Sequence, residues 1–79
     1  MVHFEILITG DGARLVRDKI VSYSNYEADA AGRNLVILLS NGEKCFFCPD
    51  NLTIEDLDYF MTATHHPDWS SIFDVREKH

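Results

Sequence analysis

Apolar and polar positions divide the chain into short segments of differing period. Phe4, Ile6 and Ile8 alternate with His3, Glu5 and Leu7, the period-two spacing of a strand. Gly10-Asp11-Gly12 breaks the alternation. From Ala13 to Tyr23, Leu15, Val16, Ile20 and Tyr23 fall on one side of a 3.6-residue period, and Arg14, Arg17 and Asp18 fall on the other. This spacing predicts an amphipathic helix. Ser24 to Arg33 is polar and weakly patterned, and reads as a loop or the ragged start of a strand. The apolar run Leu35 to Leu39 predicts a strand. Asn41-Gly42 follows it and predicts a two-residue type I′ turn, because that turn needs positive φ at both positions. Glu43 to Cys48 is then the return strand, stopped by Pro49-Asp50.

Thr53 opens a second predicted helix. Its hydroxyl can cap a free amide while Asp56, three residues on, completes a capping box. Leu52 and Leu57 occupy the staple positions, Glu55, Asp56 and Asp58 suit the positive end of the helix dipole, and Ile54, Leu57, Phe60 and Met61 form the apolar stripe. Pro67 ends the helix at or before His66. The tail from Trp69 to His79 fits either a helix (Trp69, Ile72, Phe73, Arg76) or a strand (Phe73, Val75). Taken as a strand, it gives an α+β two-layer sandwich of ferredoxin-like βαββαβ order over residues 1–79 as one domain. The alternative is βαββα with a C-terminal helix.

The hairpin register follows by counting from the turn. A two-residue loop pairs Leu39 with Lys44, Leu38 with Cys45, Ile37 with Phe46 and Val36 with Phe47, and cross-strand partners share a face. One face then carries Leu35, Ile37, Leu39 and Phe46. The other carries Val36, Leu38, Cys45 and Phe47. Both are apolar, while two helices on one side of the sheet leave the other bare. An exposed apolar face on a small domain marks an interaction surface, with Val36, Leu38 and Phe47 as anchors and Trp69 nearby.

Composition narrows the partner. Thirteen Asp and Glu against seven Lys and Arg give a net charge of −6, and the cations are scattered, which disfavours nucleic acid. No apolar run is long enough for a membrane span, and Glu5 interrupts the only stretch resembling a leader, so a cytoplasmic setting with Cys45 and Cys48 reduced is expected.

Candidate chemistry is sparse. Cys45-Phe46-Phe47-Cys48 has redox or zinc spacing, but in a strand residues three apart point to opposite faces. A small zinc domain would need these thiols to meet His65 or His66. Gly10-Asp11-Gly12 has Leu15 where a dinucleotide loop has its third glycine, so it reads as a tight turn. No nucleophile–base pair is composed by His3, His79 and the plentiful Ser, Asp and Glu residues.

His65-His66-Pro67-Asp68-Trp69 is the most distinctive string. Two imidazoles can divide acid and base roles near neutral pH. The segment resembles the His-His-Pro-acid-aromatic signature of pterin-4a-carbinolamine dehydratases, and the local order of hairpin, helix, string and β-prone Ile72-Phe73-Asp74-Val75 agrees. The resemblance implies acid/base roles for His65 and His66 on a hydroxylated pterin, with Trp69 lining the pocket. Met61 stands where that signature commonly has a charged residue.

The pattern favours a non-enzymatic interaction module of regulatory, adaptor or inhibitor type. It would bind a protein partner or form a homodimer through the open sheet face, without cofactor or metal. The pterin reading and the zinc reading stand as alternatives.

Overall fold

In the computed structural model, which describes residues 1–77, the N-terminal alternation forms two strands, β1 (Val2–His3) and β2 (Ile6–Ile8). The following segment is not helical. It forms β3 (Arg14–Val16), one 3-10 turn (Arg17–Lys19) and β4 (Ile20–Asn25). The reason is visible in burial: Leu15 is enclosed between exposed Arg14 and Val16, and half-buried Tyr23 lies between exposed Ser22 and Ser24. These are strand alternations that a helical period also fits. Leu15 pairs with Leu7 across an antiparallel hairpin, and β4 pairs along its length with β5 (Leu35–Leu39).

The expected hairpin partner, β6 (Lys44–Phe47), and helix α1 (Ile54–Thr62) follow. Thr53 caps α1 with the complete capping box: Asp56 N donates to Thr53 Oγ1 at 3.2 Å, and Thr53 N donates to Asp56 Oδ2 at 3.1 Å. At the other end, the Arg17 guanidinium donates to the Met61 carbonyl at 3.1 Å, satisfying one of the last-turn oxygens that a helix leaves free. The chain closes with β7 (Thr64–His65) and β8 (Ile72–Asp74). The tail is therefore a strand, followed by a 3-10 turn at Val75–Glu77. His79 lies outside the described residues.

The result is an α+β protein whose order departs from βαββαβ at the first expected helix. Among the described residues the strands form three sheets: β1 with β7, β3-β2-β8, and β4-β5-β6. β8 runs parallel to β2, so Leu7 is opposed by both Leu15 and Phe73. Leu7, Leu15, Leu35, Ile37, Phe47, Leu52, Leu57 and Phe60 form one buried cluster, each contributing about 1.5–3 kcal/mol by leaving water.

Three hairpin turns share one construction. Gly12, Gly32 and Gly42 each have φ between 81° and 88°, and each donates its N–H to the residue three before it: Thr9, Asp29 and Leu39. Those residues in turn donate to the carbonyls of Ala13, Arg33 and Glu43. Each is a three-residue loop with glycine in the left-handed region at its last position.

The third loop corrects the expected register. Asn41 does not adopt positive φ, so the turn holds Ser40, Asn41 and Gly42 rather than two residues. The pairs become Leu38 with Lys44, Ile37 with Cys45, Val36 with Phe46 and Leu35 with Phe47. A slip of one residue moves each side chain of the return strand to the opposite face. Phe47 thereby enters the core, and Phe46 emerges.

Candidate protein-binding face and the histidine loop

The core side of β4-β5-β6 presents Leu35, Ile37 and Phe47 to the cluster that holds Leu57 and Phe60 of α1. The outer side carries Ser22 and Ser24 from β4, Val36 and Leu38 from β5, and Lys44 and Phe46 from β6, as the alternation and pairing require. Val36 and Leu38 are half-buried, and Phe46 is 42% exposed. Of the expected anchors, Val36 and Leu38 lie on this face. Phe47 is only 7% exposed and belongs to the core, and Phe46 occupies the outer face instead. Trp69 is 69% exposed and belongs to the turn between β7 and β8, where its N–H donates to the His66 carbonyl at 2.9 Å.

One end of the face is built by a loop that periodicity does not reveal. Residues 26–34 continue the β4–β5 hairpin, with Tyr26 N donating to the Asn34 carbonyl at 2.8 Å. Asp29 organises the loop. Its carboxylate accepts from Ala31 N and Arg33 N at 3.0 Å each, from Arg33 Nε at 2.9 Å and from the Tyr26 hydroxyl at 3.1 Å. Loss of solvent pushes the Asp29 carboxyl up, but the Arg33 N–H, Tyr26 hydroxyl, Arg33 guanidinium and Ala31 N–H together hold it below the usual carboxylate range. The Tyr26 phenol is raised by lost solvation first and then by its bond to Asp29.

Held in this way, both side chains meet Phe46. The Arg33 guanidinium lies 5.5 Å from the ring centroid, within cation–π range. Tyr26 meets the same ring edge-on at 5.9 Å. Phe46 is thus flanked by Arg33, while Lys44 lies two residues along the strand on the same face. Tyrosine, arginine and an aromatic anchor are the residue types that carry most binding energy at protein interfaces. The signal that would have exposed this loop is Gly32, placed like Gly12 and Gly42 at the end of a three-residue turn.

The histidine string is arranged differently. His65 is 3% exposed, and its ring sits 4.8 Å from Phe4 in an aromatic cluster with Tyr59, Phe60 and Phe73 around Phe4. Its Nδ1 donates to the His66 carbonyl at 2.8 Å, and its buried Nε2 has no hydrogen-bond partner among the described residues. His66 is exposed, and its Nδ1 accepts the Asp68 N–H at 3.3 Å. One imidazole faces the interior while the other faces solvent, so the structure does not gather them with Trp69 into one cavity. Two surface depressions of about 460 and 290 Å³ are lined by other residues, the first by His3, Glu5 and Arg17 and the second by Glu55, Tyr59 and Phe73. Cys45 and Cys48 are free thiols, and among the described residues no group of three His, Cys, Asp or Glu side chains is placed to hold a metal ion. No helix among these residues is long and apolar enough to cross a membrane.

No family model, curated protein or solved structure matches the chain.

Proposed function

We propose that this protein is a small interaction module that docks a protein partner on the outer face of β4-β5-β6. The observation that carries the reading is the half-exposed apolar stripe of Val36, Leu38 and Phe46, on the side of the sheet away from α1, with the Tyr26–Asp29–Arg33 loop already folded against Phe46. Preorganisation matters because each rotamer-rich side chain immobilised on binding costs about 0.5–1.5 kcal/mol. Arg33 is fixed to Asp29 before any partner arrives.

The occupant is a different chain rather than a second copy. A two-fold interface on this face sets the same patch against itself, bringing Lys44 and Arg33 of both copies together between bodies that each carry −6. Nucleic acid is a poorer fit, because a phosphate backbone needs a row of cations and the strand residues of this face supply one lysine.

The test is selection of a displayed random-peptide library on the whole chain, with Phe46→Asp as the counter-target. A second counter-target, Leu38→Lys, is checked for retained thermal unfolding. Peptides that bind the wild type and lose binding to both variants support the reading. Failure to recover any peptide dependent on Phe46 overturns it. Sedimentation is expected to show a monomer, and a dimer dispersed by Phe46→Asp would overturn the choice of occupant.

A further inference from the structure

Resting on that reading, we infer that the partner segment pairs an aliphatic or aromatic side chain with one or two carboxylates from Asp or Glu. The charge distribution carries this. The chain as a whole holds thirteen Asp and Glu against seven Lys and Arg, yet the paired strand residues that face outward from β4-β5-β6 (Ser22, Ser24, Val36, Leu38, Lys44 and Phe46) include no acid and one lysine. Asp29, in the loop that flanks Phe46, has its carboxylate occupied by four donors of that loop.

Arg33 sharpens the geometry. Only its Nε is engaged with Asp29, so its terminal nitrogens retain donors on a half-exposed side chain lying over the Phe46 ring. A guanidinium presents those donors in the planar fork that a carboxylate oxygen pair matches. Lys44 lies farther along β6 as a mobile point charge. An apolar side chain seated on Val36, Leu38 and Phe46 therefore has a cation at each end of its platform. The loop selects the acid by Arg33, and the stripe supplies the anchor.

The peptides recovered by the library selection test this directly. Those that depend on Phe46 are expected to be enriched in Asp or Glu beside a large apolar residue. Their affinity should fall as salt is raised from about 0.05 to about 0.5 M, because exposed charge pairs are screened. Lys44→Glu is expected to weaken the acidic peptides about tenfold and to recover basic ones instead. Arg33→Gln should weaken them without that inversion. Phe46-dependent peptides showing no acid enrichment and no response to Lys44→Glu would overturn the inference while leaving the docking face intact. Absence of any Phe46-dependent peptide removes the face itself.

Discussion

Alanine replacements at two adjacent phenylalanines distinguish the two possible hairpin registers. In the three-residue loop register, Phe47 packs with Leu35, Ile37 and α1, and is 7% exposed. Truncating such a ring removes its transfer energy and leaves a cavity, costing about 3–5 kcal/mol. Phe46 is 42% exposed, so Phe46→Ala forfeits about half of a phenylalanine's burial plus the Arg33 and Tyr26 contacts, about 1.5 kcal/mol. A chain this size has a total stability of roughly 4–12 kcal/mol, so Phe47→Ala removes a large share and Phe46→Ala a small one. The difference of about 2–3 kcal/mol corresponds to roughly 10–20 °C in Tm for a domain of this length. Circular dichroism melts, supported by urea midpoints at unchanged m value, read it out. Equal losses, or a larger loss at Phe46, would refute the packing and restore the two-residue turn.

Two other perturbations probe the remaining contacts. A Cβ added at Gly10 would lie 3.0 Å from Asn51 Cα and 3.2 Å from the Asp50 carbonyl, both backbone, beside the 2.8 Å bond from Gly10 N to the Asn51 carbonyl. Gly10→Ala should therefore cost about 1 kcal/mol net of its chain-entropy gain, measured by urea unfolding; a neutral or stabilising result would show that the 48–51 loop moves freely. Tyr23 donates to Asp58 Oδ1 at 2.7 Å, and burial, that bond and the Asp58 charge raise its phenol to about 12. The unfolded chain then releases this proton first, so the contribution is whole below pH 10 and is lost as pH rises toward about 12. Linkage caps the loss at about 2.7 kcal/mol, and solvent screening reduces it to about 1 kcal/mol. Between pH 9 and 11 Tyr23→Phe should lose less stability than the wild type, by about 0.7 kcal/mol of that total, and parallel urea midpoints would refute the assignment.

Several elements were legible because their causes lie within a few residues. Thr53 and Asp56 form the capping box that their spacing predicts, and Leu57 and Phe60 of the apolar stripe are buried. The outer face was legible in part, since Val36 and Leu38 sit where the alternation of β5 places them. The rest of the candidate site was not. Asn41-Gly42 carries the signal of a two-residue turn, yet the chain spends only Gly42 on positive φ, and that one residue decides whether Phe46 or Phe47 reaches solvent. The Tyr26–Asp29–Arg33 loop escaped a reading by period because hydrogen bonds to one carboxylate, rather than an apolar stripe, organise it.

By itself the sequence determined the α+β class, helix α1 with its cap and the β5–β6 hairpin, all set by local sterics, capping and patterning; the tail fitted either helix or strand, and parallel pairing with β2 made Ile72–Asp74 a strand. Tertiary structure decided the fate of residues 13–23. Leu15 and Tyr23 satisfy either a helix or two strands when read alone, and pairing with Leu7 and Ile37 selects the strands. Those partners are distant along the chain in one case and close in the other, and a period of 3.6 or 2 drawn over so few apolar residues does not record them. As strands, these segments bury Leu15 in the common core and pack Tyr23 against it while the ladders keep their desolvated N–H and C=O groups paired, which outweighs the small helical preference of a short amphipathic segment.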